Sequence, residues 1–407
     1  MILKRLKNTL LVIIFCACLN NSYAQTKVLA PTPPMGWMTW NFFADKISEK
    51  DIMEMADAMV STGMVKAGYN YIMIDDGWQG GRDNRNKIIP DPKKFPLGMK
   101  TLADYVHNKG IKLGIYSDAA QLTCAGYTAS LHFEEQDAKT FASWGIDYLK
   151  YDYCGAPEDV ETAKTRYKKM GDALRKSGRD IVFSICEWGP RKPWLWAADA
   201  GGNLWRTTYD VRDKWIRRPT ENNGEGIIDI LDVNATLDKH TGPGKWNDPD
   251  MLVVGLYGKK GPSGDLGGFG MTDIEYQSQM SLWSMMAAPL VATNDVRSMN
   301  AETKRILLNE EVISINQDSL GKQAALKIKN DDWNVLVKPL QNGDYAVAIL
   351  NRSDSTKPFN LNFGEVGLND QYEIRDTWQH KVIGRSNKWK GLMLSHETKV
   401  FRLKKVR

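Results

Sequence analysis

Short β-rich runs alternate with amphipathic stretches along most of the chain. The runs fall at Met35–Asn41, Tyr69–Trp78, Lys112–Asp118, Tyr148–Cys154, Ile181–Trp188, Leu204–Asp210, Trp246–Gly255 and Met286–Asp295. Between them, apolar positions mostly recur at helical spacing. Over Ser48–Ser61 the repeat is Ile52, Met55, Ala56, Met59 and Val60, with Ser48 placed as N-cap and Asp51 three residues on. Leu102–Asn108, Glu134–Trp144, Glu158–Ser177 and Asp273–Met286 read the same way. Eight strand–helix units in roughly 290 residues predict a parallel (β/α)8 TIM barrel. The alternative is an open doubly wound sheet. That fold ordinarily carries a glycine-rich phosphate turn after its first strand, and none follows Met35–Asn41.

The grammar changes near Gly321. Trp333–Pro339, Asp344–Asn351, Phe359–Phe363, Tyr372–Asp376 and Thr398–Leu403 are short alternating segments, and Gln341-Asn342-Gly343-Asp344 is a hairpin turn signal. A polar loop covers Asn351–Lys357. These features predict an antiparallel β-sandwich over 321–407, packed on a barrel over 25–320. The second domain holds no cluster of reactive residues and reads as a structural module.

The first residues carry a different signal. Lys4, Arg5 and Lys7 precede the apolar run Leu10–Leu19, and Ser22-Tyr23-Ala24 puts small residues before Gln25. This is the pattern of a secretory signal over 1–24, cleaved after Ala24, and it predicts an exported protein, periplasmic or secreted. A lipidated Cys16 or Cys18 is the alternative, though Phe15-Cys16-Ala17 before Cys18 fits it poorly. The run is too short to span a bilayer, and no later stretch of about 18 apolar residues exists. Composition adds exclusions. With 42% hydrophobic and 25% charged residues the chain is globular rather than disordered. Its net charge of +5 includes the three basic residues of the leader, so no nucleic-acid footprint is expected. Removing the leader leaves Cys124, Cys154 and Cys186, which allow at most one internal bridge and one free thiol.

Barrel active sites form where strands end. The predicted strand ends carry Asp75, Asp76, Asp118, Asp152, Glu187, Asp210 and Asp250. Trp37, Trp40, Trp78, Tyr116, Trp188, Trp205 and Trp246 accompany them, with two cations, Lys150 and Arg206. One such aspartate alone would ordinarily be a helix N-cap. Together, carboxylates that accept hydroxyl hydrogen bonds and aromatic faces that pack C–H surfaces suit a sugar. The histidines, His107, His132, His240, His380 and His396, end no barrel strand and form no H-x-x-x-H, which weighs against a zinc hydrolase. No G-x-S-x-G elbow occurs. A Mg²⁺ site built from the acidic residues stays open. Glycoside hydrolysis needs only two carboxylates and no cofactor. A retaining or inverting glycosidase therefore leads, ahead of a metal-dependent barrel enzyme.

Longer motifs sharpen this. Pro34-Met35-Gly36-Trp37-Met38-Thr39-Trp40-Asn41, Ile74-Asp75-Asp76-Gly77-Trp78 and Tyr148-Leu149-Lys150-Tyr151-Asp152-Tyr153-Cys154 occur in order. Cys186-Glu187-Trp188, Trp205-Arg206 through Asp210, Trp246-Asn247-Asp248-Pro249-Asp250-Met251 and Ile315-Asn316-Gln317-Asp318 follow. From Pro34 to Gln323 the chain resembles glycoside hydrolase family 27, the α-galactosidase and α-N-acetylgalactosaminidase family. The resemblance implies Asp152 as nucleophile and Asp210 as acid/base. It implies Asp75 and Asp76 on the 6- and 4-hydroxyls of galactose, and Trp40 against the apolar sugar face with Tyr116 nearby. Lys150 would bond ring hydroxyls and favour ionised Asp152. Arg206 and Asp250 would hold the 2-hydroxyl side, and Cys186, Glu187, Trp188 and Met251 would bound the pocket. A retaining geometry would set the two catalytic carboxyls roughly 5–6 Å apart. Their environments would keep Asp152 ionised and Asp210 protonated.

Subtype and covalent features follow from the same resemblance. Bulky Trp188 argues for a 2-hydroxyl over a 2-acetamido group, and the intact Asp75-Asp76 pair argues for galactose over β-L-arabinopyranose. The family commonly bridges the pair equivalent to Cys124 and Cys154, which would leave Cys186 free in the pocket. Gly77 replaces a cysteine of many animal members, so that bridge is absent. Pro190-Arg191-Lys192 is a basic insert beside the site. No metal is expected, because Lys150 and Arg206 would repel a dication. The implied partner is an α-galactoside; the sequence specifies no oligomeric state. The alternatives are an α-N-acetylgalactosaminidase, a β-L-arabinopyranosidase, or a catalytically silent carbohydrate-binding barrel.

Overall fold

A computed structural model describes residues 28–218, 224–259, 261–264 and 268–406. The leader expected over 1–24 lies outside the described residues. Eight parallel strands form one sheet: β1 (Met35–Met38), β2 (Tyr71–Met73), β3 (Lys112–Asp118), β4 (Tyr148–Asp152), β5 (Val182–Ile185), β6 (Leu204–Arg206), β7 (Trp246–Asp248) and β8 (Leu290–Ala292). Their order is β8-β1-β2-β3-β4-β5-β6-β7. The ring closes just after β7, where Leu252 bridges Ala292 in parallel and its N–H donates to Val291 O at 2.7 Å. This is the TIM barrel. Gly36 permits the tight β1–β2 contact, since a Cβ there would fall 2.5 Å from Tyr71 O.

Most strands are shorter than the apolar runs that announced them. The surplus residues, such as Asp75–Trp78 and Asp210, form loops at the C-terminal mouth, where the candidate chemistry sits. Among the described residues, a short α1 (Trp40–Phe43) is followed by eight longer helices around or after the strands: α2 (Glu49–Ser61), α3 (Gly98–His107), α4 (Glu134–Trp144), α5 (Val160–Arg175), α6 (Ile227–Asn234), α7 (Asp273–Met285), α8 (Ala301–Leu307) and α9 (Glu310–Asn316). The expected capping box closes α2: Ser48 N–H donates to Asp51 Oδ2 at 3.0 Å, and Asp51 N–H to Ser48 Oγ at 3.3 Å. One strand–helix unit differs from expectation. Between β5 and β6 the described chain makes a 3-10 turn, Pro193–Leu195, and no α-helix. Pro193 opens the turn at its first position, and Gly201 with φ 94° and Gly202 follow shortly before β6.

The C-terminal strands are β9 (Ala325–Lys329), β10 (Trp333–Pro339), β11 (Tyr345–Asn351), β12 (Lys357–Asn362), β13 (Tyr372–Asp376), β14 (Lys381–Ser386), β15 (Lys388–Met393) and β16 (Thr398–Lys405). They form an antiparallel sheet in the order β9-β10-β11-β16-β13-β14, and β12 pairs with β15. Alternation divides the core. Val335, Val337, Val347 and Ile349 enter the sandwich interior. Leu336, Ala346, Ala348 and Leu350 face the other way and join the barrel core. Across the seam, Arg352 pairs with Asp232 at 2.7 Å and Arg375 with Glu311 at 2.6 Å. No helix among the described residues is long and apolar enough to cross a membrane.

Candidate active site

A pocket of about 120 Å³ opens at the C-terminal mouth of the barrel, a volume on the scale of one sugar ring. Trp40, Asp75, Asp76, Tyr116, Lys150, Asp152, Trp188, Arg206, Asp210, Asp250 and Met251 all line it, each expected there from the sequence. A larger cavity of about 830 Å³ lies at the opposite end, beside Tyr71, Lys112 and Val182, where strands begin. It is remote from this chemistry, so the small pocket is the candidate site.

One wall comes from β2. Thr39 Oγ1 accepts from Asp75 N–H at 3.0 Å, and Asp75 Oδ1 accepts from Asp76 N–H at 2.8 Å. Asp75 Oδ2 pairs with Lys150 Nζ at 2.8 Å, with both side chains buried. Burial opposes the Lys150 charge, but Asp75 and the further anionic groups around it, Asp152 and Asp250 among them, together outweigh burial and hold the ammonium well above its usual range. Asp76 Oδ2 accepts from Ala125 N–H at 2.8 Å. Its Oδ1 is buried with no hydrogen-bond partner. Burial raises the Asp76 pKa to about 6.

The floor is Asp152, at the end of β4 and 4% exposed. Tyr116 Oη donates to its Oδ2 at 3.1 Å, and Tyr153 N–H to its Oδ1 at 3.0 Å. Burial raises its pKa to about 7, against the pull of Lys150. The opposite wall is Arg206. Its Nη2 lies 3.2 Å from Asp210 Oδ1 and 3.0 Å from Asp250 Oδ2. Burial would raise the Asp210 pKa, but Arg206 and then Lys150 outweigh it and lower the value. The Asp210 side chain is still 42% exposed, so water screens this pull. The two shifts run in opposite directions, Asp152 up and Asp210 down, whereas the family resemblance implies an ionised Asp152 and a protonated Asp210. The cause is Arg206 lying against Asp210 while Asp152 is deeply buried.

Two expected pocket residues lie outside the lining. Glu187 is fully buried and turned to Arg191: Oε2 lies 3.1 Å from Nη1, and Oε1 accepts Arg191 N–H at 3.1 Å. Cys186 is a free buried thiol behind the wall, 3.8 Å from Arg206 Nη1. The basic insert thus closes on Glu187, with Arg191 also 4.7 Å over the Tyr153 ring. Cys124 and Cys154 form a disulfide, with Cα atoms 5.1 Å apart, and both border the pocket. Asn41 also lines it; its Nδ2 donates to Val211 O at 3.3 Å. Its place at the end of the Trp40-Asn41 motif was the available signal. Asp118, Asp152, Cys124 and Cys154 bring ligand-type atoms within 4.8 Å of one another. The two sulfurs are bonded to each other and so are not thiolate ligands.

The sequence and fold have close counterparts. A family model described as alpha galactosidase A matches residues 32–318, and one for the alpha galactosidase C-terminal beta sandwich domain matches 330–403. Alpha-galactosidase A of Cellvibrio japonicus is 47% identical over 368 residues, 89% of this chain and 87% of that protein. The structure is similar to alpha-galactosidase I of Mortierella vinacea, with TM-score 0.86 and 35% identity over 93% of this chain and 98% of that one. It is also similar to the α-galactosidase of Saccharomyces cerevisiae solved with raffinose, with TM-score 0.85 and 30% identity over 93% and 98%. With both family models matched in order around a pocket of paired carboxylates, the chain belongs to the alpha galactosidase A family, glycoside hydrolase family 27.

Proposed function

We propose that this protein is a retaining α-galactosidase that removes terminal α-linked galactose by double displacement. The observation that carries the reading is that Asp152 and Asp210 face one small pocket beside the Lys150–Asp75 ion pair. Asp152 attacks the anomeric carbon as the bond to the leaving oxygen breaks, and Asp210 gives that oxygen its proton. The glycosyl-enzyme is then hydrolysed by a water whose proton returns to Asp210. A bound sugar displaces the water that reaches Asp210 and raises its pKa, while positive charge developing at the anomeric carbon favours ionised Asp152. Substrate thereby favours the proton on the carboxyl that must donate it.

The other residues orient the ring. Buried Asp76 Oδ1 has an acceptor position that a sugar hydroxyl can fill. Asp75, held by Lys150, supplies the neighbouring acceptor. Trp40 offers a face to the C–H side of the ring, and Arg206 with Asp250 takes the 2-hydroxyl side. Met251 closes the pocket. Trp188 stands in the lining with a left-handed backbone, φ 62°, and limits space for a 2-acetamido group. The chemistry needs no cofactor. We also infer export, from the pattern of residues 1–24, and domain limits of 25–320 and 321–407.

NMR of the first-formed sugar from an aryl α-galactoside tests the mechanism: α-galactose is expected, and β-galactose would refute retention. Parallel assays on aryl α-galactoside, α-N-acetylgalactosaminide and β-L-arabinopyranoside test the substrate. Turnover of the first above the others is expected.

A further inference from the structure

Trp215 and His396 stack across the seam between the two domains. Their ring centroids are 4.7 Å apart and their planes inclined by 21°. Trp215 belongs to the barrel loop that follows β6 and carries Asp210. His396 sits in the turn between β15 and β16 of the sandwich. That turn is held firmly: His396 Nδ1 lies 2.7 Å from Glu275 Oε1 in the first turn of α7, and Nε2 lies 2.9 Å from Asp354 Oδ1. Ser278 Oγ also donates to the His396 carbonyl at 2.6 Å. The imidazole is thus fixed in orientation before Trp215 rests on it.

Trp215 is five residues beyond Asp210, and the intervening backbone has little freedom. Val211 N–H donates to Asp250 Oδ2 at 2.9 Å. Glu225 N–H donates to Asp210 O at 2.8 Å, and Arg212 N–H to Glu225 O at 2.9 Å. Asp213, fully buried, accepts from Gly258 N–H and Tyr276 Oη, each at 2.8 Å. Beyond it, Ile228 N–H donates to Trp215 O at 3.0 Å. Trp215 thus closes one end of the short segment, 210–215, whose other end carries Asp210. The Asp210 side chain is half open to water and meets Arg206 at 3.2 Å, so its aim depends on that backbone.

We propose that the C-terminal domain positions the acid/base: His396, through its stack on Trp215, fixes the loop that aims Asp210. This rests on the reading of Asp210 as acid/base given above. His396 is a positioning residue and touches no substrate. The sandwich then contributes to catalysis, beyond covering the barrel core.

The test pairs a leaving-group ratio with amide exchange. In His396→Ala, turnover of an α-galactosyl disaccharide should fall about tenfold, while a dinitrophenyl α-galactoside, which needs little protonation, changes less than about twofold. His396→Phe, which keeps a flat ring for Trp215 but gives up the Glu275 and Asp354 contacts, should recover part of the loss. Arg375→Ala, which removes a different contact across the seam, should leave the ratio of the two substrates unchanged. Exchange at the Val211–Trp215 amides should rise in His396→Ala, and exchange around Asp152 should not. Equal losses on both substrates, or no rescue by phenylalanine, would overturn the proposal. Unchanged exchange over 211–215 would overturn it even if the chain proved inactive on α-galactosides. In that case the activity reading would have failed separately.

Discussion

The guanidinium of Arg206 lies 3.2 Å from the Asp210 carboxylate and shares its Nη2 with Asp250 at 3.0 Å. The pull of that cation lowers the Asp210 pKa, while burial lifts Asp152 to about 7. The two carboxyls face one pocket, and buried Asp118, itself raised by burial and by Asp152, stands behind them. Their titration belongs to the pair. On the proposed roles, the reactive form carries one proton on the pair, on Asp210 when the leaving oxygen departs.

A pH profile follows. The free pair should lose its last proton near 7, so kcat/KM should fall on the alkaline side with a limb near that value. The acid limb should lie below the ordinary aspartate range, because Arg206 holds Asp210 down. Measuring kcat/KM for an aryl α-galactoside against pH checks both. An alkaline limb near ~9 would mean that another group controls the proton.

The two carboxylates should respond differently to removal. Asp152→Ala should abolish turnover for every leaving group. Asp210→Ala should cost about 10²–10⁴-fold on disaccharides and far less on activated aryl substrates. Azide should rescue Asp152→Gly and give a β-galactosyl azide, inverted relative to the substrate. If Asp210→Gly gives the inverted product instead, the roles are exchanged.

A buried lysine at the seam makes a stability prediction. Lys338 is fully buried on β10, where its Nζ donates to Ser284 O at 3.4 Å and Asp318 is a charged neighbour. Burial lowers its pKa to about 7. An unfolded lysine titrates near ~10.4, so between these values the unfolded state binds more protons and stability rises with pH. Lys338→Met should therefore stabilise the fold by about 1–4 kcal/mol at or below neutral pH. The gain should shrink as the pH approaches ~10. Thermal melts of both proteins across that range decide it; a loss of stability at pH 6 would refute the reading.

Legibility in the sequence followed the physics of each element. Helix α4 and strands β10 and β13 matched their predicted ranges, because a buried face imposes a clear period. Strand β14 leaves no signal in the sequence because it is a nearly fully exposed edge with no apolar alternation. Pocket residues at strand ends were legible, since the barrel brings those ends together. Glu187 turns to Arg191 and away from the lining because that partner is set by a turn. Gly189, φ 100°, has its Cβ position 2.2 Å from Thr207 O, and the turn there carries Arg191 back onto the carboxylate. The opposite shifts of Asp152 and Asp210 were also beyond motif reading. They depend on how far Arg206 leans and how deeply Asp152 is buried, and neither leaves a trace in residue spacing.

The disulfide should bear on both stability and substrate binding. Cys124–Cys154 closes a separation of 30 residues, for which the loop-entropy account gives about 3–4 kcal/mol. The same bridge fixes a loop whose Ala125 N–H donates to Asp76 at 2.8 Å, and Cys154 N–H donates to Asp118 at 3.0 Å. Asp76 already titrates near 6 because it is buried. The Ala125 bond favours its charged form, so loosening the loop should raise that pKa further. In a Cys124→Ser/Cys154→Ser variant the thermal midpoint should fall. KM for an aryl α-galactoside should rise more at pH 6 than at pH 8, where Asp76 stays ionised. Reductant should move the wild type in the same direction and leave the variant unchanged. A fall in thermal midpoint with KM equal to wild type at both pH values would show that the bridge serves stability alone and that Asp76 does not depend on the loop.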